Sequence, residues 1–201
     1  VLKELRSLGR AQVTARGNLT SDAELSVAGV AHFASEQAGI YLNGSNRFSN
    51  TVHLDAAQDI ELHHQRELLL GDVQAQVFGL NNRGDVAQSN GAWTVDLLDL
   101  SVDGNLQAMN ENNRIQGLRA DQVGDLTLDS REALRLDSID SDGQVRIGGR
   151  GLSVENRLSA ESLNLDAQNG SLTINHSITA NDIQLAGERV EVGDAAAQVD
   201  R

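Results

Sequence analysis

The chain has 201 residues, a formal charge of −13, no cysteine and no proline, and only 2% aromatic residues beside 39% hydrophobic ones. The charge argues against a nucleic-acid partner and against anionic lipid, both of which need clustered Lys and Arg. The missing cysteine removes disulfides, thiol catalysis and thiolate metal sites together. Such a length admits one ordinary domain or a run of short repeats.

The aromatic residues are Phe33, Tyr41, Phe48, Phe78 and Trp93. A core made almost entirely of Leu, Val, Ile and Ala suits a narrow interior of stacked layers better than a wide globular one. A chain that is nearly all ladder also has few places for proline, which lacks a backbone N–H. No apolar run approaches the roughly 18 residues that a membrane helix needs, so no membrane insertion is expected. Val1 opens no signal peptide, and the piece reads as cut from something longer.

In chain order, residues 1–10 (VLKELRSLGR) allow one or two helical turns and no more. From there on, short apolar-x-apolar pairs alternate with Gly-Asn and Gly-Asp corners. The corners include Gly17-Asn18, Gly84-Asp85, Gly104-Asn105 and Gly124-Asp125. Gly, Asn and Asp tolerate the backbone of tight corners. In the second half the pairs are Leu126/Leu128, Leu134/Leu136, Val145/Ile147, Leu152/Val154, Leu163/Leu165, Leu172/Ile174, Ile183/Leu185 and Val190/Val192. Their i, i+2 spacing is that of a strand with one buried face. Next-but-one pairs recur at a nearly constant interval, for example from 126 to 145 and from 152 to 172. That spacing predicts an all-β parallel β-helix, a solenoid with coils of about 18–22 residues and several short strands per coil. About ten coils at roughly 4.8 Å each make a rod on the order of 50 Å. One continuous rod over 1–201, without a second domain, is the expected organisation.

A longer period lies above the coil. Arg16-Gly17, Arg83-Gly84 and Arg150-Gly151 recur at one constant shift. Asn43, Asn46, Arg47 and Phe48 return at that same shift as Asn110, Asn113, Arg114 and Ile115. Residues 67–70 (ELLL) return as 133–136 (ALRL), one position short of it. The expectation is a super-repeat of about 66 residues, read as three coils.

Residues 85–95 (DVAQSNGAWTV) are similar to the "ITQSGALTV" element of filamentous-haemagglutinin-type exoproteins. Residues 104–118 (GNLQAMNENNRIQGL) resemble their "GNITLxNAxNDFxGxV" element, with Ile115 in place of phenylalanine, and residues 39–52 keep it as Phe48. Residues 132–136 (EALRL) fit the "NALTL" element. The resemblance implies a right-handed, single-stranded parallel β-helix: an internal rod segment of a secreted adhesin, exported through an outer-membrane partner pore to a Gram-negative cell surface. A host receptor or exopolysaccharide would then be met through other parts of the parent chain. No cofactor and no catalytic residue is implied.

Several features compete as functional sites. Arg83-Gly84-Asp85 is an RGD triplet and an adhesion candidate, but Arg-Gly recurs at 16 and 150, which favours a corner role. Trp93 could stack on a sugar if it faces outward, whereas its i, i+2 spacing to Val95 favours an inward ring. His63-His64 beside Glu61 suggests a metal, yet neighbours on a strand point to opposite faces, so a solvated corner is expected. Asp137, Asp140 and Asp142 raise calcium, but the Gly148-Gly149-Arg150-Gly151 run lacks the Asp of a calcium-binding β-roll. Asn43, Asn46, Asn110 and Asn113, with Asn50 and Asn112, are expected to stack amide on amide at one corner. The sequons at Asn18, Asn43, Asn169 and Asn175 read as turn chemistry. No break in the repeat combines acidic, basic and aromatic residues as a polysaccharide-cleaving β-helix would need. A carbohydrate-binding module is the better alternative to a rod.

Overall fold

The computed structural model describes residues 1–193. Among them all regular structure is β, in one stacked parallel sheet. The strands wind into a β-solenoid of about nine turns. Residues 1–10 are not helical: Leu5–Ser7 is a strand in register with 25–27. The expectation of one continuous rod also took in 194–201, which lie outside the described residues.

The coils run 5–21, 25–42, 46–64, 68–82, 86–102, 106–123, 126–141, 144–159 and 162–179, and 182–192 begins another. Each carries short strands separated by corners, which gives three stacked ladders. One ladder stacks Leu68, Val86, Leu106, Leu126, Val145, Leu163 and Ile183. Another stacks Leu42, Leu62, Leu80, Leu100, Ala120, Ile139, Leu158 and Ile178. A third carries Val13, Phe33, Leu54, Val73 and Trp93. These side chains alternate inward along their strands and fill the interior. Apolar burial of this kind stabilises each coil by about 1.5–3 kcal/mol per large side chain.

The corners follow a shared rule. Asp85 Oδ1 accepts the Asn105 N–H at 2.8 Å, Asn105 Oδ1 accepts the Asp125 N–H at 2.8 Å, and Asp125 Oδ1 accepts the Gln144 N–H at 2.8 Å. Each carboxamide or carboxylate therefore caps the corner one coil above it. Glycine precedes the capped residue because a Cβ at Gly104 would stand 2.6 Å from Asp85 Oδ1.

The long period differs from three coils. Three ladder steps above Leu68 stands Leu126, not Leu134. The super-repeat is thus three coils plus one further strand and corner. Equivalent residues reappear roughly 16 Å along the axis, on the next face round the rod.

Candidate functional site

Within one ladder the stacking is interrupted. Residues 47–48 pair downward with Ser26 and Val27, while 68–70 pair upward with 86–88. Between these two levels the pairing resumes only at Val52 and Leu70. An open cleft of about 920 Å³ lies at the gap, lined among others by Phe48, Asn50, Arg66, Glu67, Leu69 and Asp85.

Two buried side chains replace the missing ladder. Asn46 is fully buried; its Oδ1 accepts the Leu25 N–H at 3.1 Å, and its Nδ2 donates to the Leu42 and His63 carbonyls at 2.8 and 2.9 Å. The Phe48 N–H, which would otherwise donate to a strand above, donates to His64 Nε2 at 3.1 Å. With Nε2 accepting, the ring proton sits on Nδ1, where two acceptors at 3.0 Å, the Arg66 carbonyl and Asn82 Oδ1, outweigh the Arg66 N–H at 3.3 Å. The imidazole stacks on the Phe48 ring at a centroid distance of 5.7 Å. Burial pushes the His64 pKa below the usual histidine range; hydrogen bonds to Asn82, Arg66 and Phe48 oppose this, and the Arg66 charge adds to it.

The same arrangement recurs one super-repeat later. Asn113 Oδ1 accepts the Trp93 N–H at 2.9 Å, and its Nδ2 donates to the Ala108 and Asp129 carbonyls at 3.4 and 3.2 Å. Its amide also pairs with that of Gln88, at 2.6 and 3.0 Å. Here the cap is Ser130, whose Oγ accepts the Ile115 N–H at 3.0 Å and donates to the Ile115 carbonyl at 2.9 Å. A second cleft of about 430 Å³ opens beside it, lined by residues that include Gln116, Ala133, Leu134, Arg135 and Gly151. Leu134 and Arg135 are the super-repeat counterparts of Leu68 and Leu69 in the first cleft.

A protein-family model described as repeats of unknown function (DUF5649) matches residues 1–55. The matched stretch spans the first coils and includes the Asn46–Phe48 element. No curated protein and no solved structure matches the chain.

The structure places each sequence candidate, and some of the expectations change. Trp93 is wholly buried, its Nε1–H donates to the Gly71 carbonyl at 3.0 Å, and it meets Phe78 edge-on at 6.3 Å. Its ring is therefore unavailable for stacking on a sugar. The expected amide-on-amide stack of Asn43, Asn46, Asn110 and Asn113 does not form. Asn43 is exposed, Asn46 and Asn113 bind backbone, and Asn110 Nδ2 donates to the Asn90 and Gly91 carbonyls at 3.1 Å. A buried amide finds its best partners in the N–H and C=O groups that an interrupted ladder leaves over. The side-chain ladder sits instead at the Gly-Asx corners, where the RGD triplet supplies one rung through Asp85; Arg83 is exposed and Gly84 is packed on the backbone of Arg66 and Glu67. His63 and His64 do diverge, but only His63 is at the surface, 3.5 Å from Glu61. Among the described residues no His, Cys, Asp and Glu cluster could hold a metal, and Asp137, Asp140 and Asp142 form none.

One arrangement escaped the sequence reading. His32 and His53, on successive coils, stack face to face at 4.1 Å, and His53 Nδ1 lies 3.1 Å from Asp72 Oδ2. Their separation along the chain by one coil was the available signal. Burial first, and then the facing His53, lower the His32 pKa.

Proposed function

We propose that the chain is a rod segment of a secreted bacterial surface adhesin, giving reach and display rather than catalysis. The carrying observation is the set of parallel ladders that links every coil to its neighbours. Such stacking makes stability near-additive along the axis, so a rod can grow without a single global core. The haemagglutinin-like elements support export through an outer-membrane pore in a Gram-negative cell. They also support adhesion to a host receptor or exopolysaccharide through other parts of the parent chain.

A non-catalytic role is supported by Asp85, whose Oδ1 is engaged by a backbone N–H at the rim of the larger cleft. Antibodies against the segment should label intact cells that produce the parent protein. Labelling only after permeabilisation would rule out display. Incubation with acidic polysaccharides should release neither reducing ends nor unsaturated products.

A further inference from the structure

The two caps do the same work with different chemistry. Ser130 Oγ has no charge state to change on acidification, whereas the His64 imidazole has one. As the neutral Nδ1–H tautomer, His64 accepts from Phe48 and donates to Asn82 or Arg66. An imidazolium has two donors and no acceptor. Protonation would set Nε2–H against the Phe48 N–H in a site only 1% exposed.

We propose that His64 makes the first interruption of the ladder an acid-opened joint, which releases Phe48 and the wall of the larger cleft while the Ser130 joint stays closed. Of the charged groups around it, Arg66 is the one whose charge acts on the ring. Arg66, in the turn that follows His64, disfavours a second positive charge. Arg47, on the strand below, is at 3.6 Å from Glu24 on the outer surface. Glu61 faces His63 on the opposite side of its strand. Glu67 and Asp85 line the cleft, and neither acts on the ring enough to favour its charge. Arg83, at the corner above, is exposed. His32 and His53 stack on another face of the rod, so their contribution is separable.

The test is amide hydrogen exchange of the whole chain by NMR, expressed as protection factors at pH 7.5 and 5.0. The Phe48 amide should lose protection about tenfold, within the ceiling of about tenfold per pH unit that one-proton linkage sets, while Ile115 changes less than about twofold. His64→Ser, which copies the second cap, should make Phe48 as insensitive to pH as Ile115. Ring nitrogen shifts of the unaltered chain should show the Nδ1–H tautomer at pH 7.5 and a protonation that tracks the loss at Phe48. This second readout holds even if His64→Ser folds poorly. Equal losses at Phe48 and Ile115, or a loss at Phe48 that survives in His64→Ser, would overturn the proposal. So would a loss abolished by His32→Gln or His53→Gln, or a His64 ring already charged at pH 7.5.

Discussion

Asn113 repeats, one super-repeat on, the backbone bonding of Asn46: each is buried, accepts one backbone N–H from the coil below and donates to two backbone carbonyls. The long period of the sequence is the period of this staple. It carries the site round the rod as well as along it.

Replacing Asn46 or Asn113 by Ala should destabilise the fold by about 3 kcal/mol each, since backbone groups are left buried without partners. The double variant should be additive within about 0.5 kcal/mol because the sites share no partner. Chemical denaturation of the four chains measures this; strong non-additivity would mean that the two joints are coupled.

Leu128 and Leu165 are fully buried on one face of the rod, two ladder steps apart with Ile147 between them. A Leu128→Asp or Leu165→Asp change puts a carboxylate among aliphatic side chains, and should cost more than about 4 kcal/mol. Arg135→Ala, at an exposed ion pair with Asp137, should stay within about 0.5 kcal/mol. Thermal melts that fail to rank them so would contradict the inward assignment.

Trp93 should emit as a buried indole and resist acrylamide quenching until the chain unfolds. Trp93→Phe removes the bond to the Gly71 carbonyl and should cost about 1 kcal/mol, and Trp93→Ala about 3–5 kcal/mol. Quenching like that of free tryptophan in the native protein would place the ring outside.

Asp85 acts through an acceptor oxygen that asparagine also has, as Asn105 shows one coil higher. Asp85→Asn should therefore be neutral within about 0.5 kcal/mol, while Asp85→Ala loses the cap at a cost of about 1 kcal/mol. In an integrin-adhesion assay Asp85→Glu should match the unaltered chain. A selective loss of adhesion would restore the triplet as a recognition site.

Asp129 is half-buried, and burial first raises its pKa; Arg146 lowers it and Asp166 raises it. A carboxyl with a raised folded-state pKa destabilises the fold where it is ionised, and that penalty is relieved as pH falls through the folded value. Asp129→Asn should raise the thermal midpoint at pH 7 by about 1–3 °C, with the gain vanishing toward pH 3. An Asn variant less stable at pH 7 would show a favourable role for the charge.

The amino-acid sequence by itself determined the solenoid. The i, i+2 pairs and their one-coil spacing place Leu126 over Val145 and Leu152 over Leu172 without any further information, because alternation and coil length are local properties. It also revealed that something recurs with a period longer than the coil. Only the tertiary structure decided what that was. Whether Asn46 meets another asparagine or a backbone carbonyl depends on residues from successive coils meeting at one gap, and no spacing along the chain records that a ladder stops there. The same reason hid His64: its neighbours in sequence suggest a solvated corner, and its neighbours in space, Phe48 and Asn82, make it a buried acceptor.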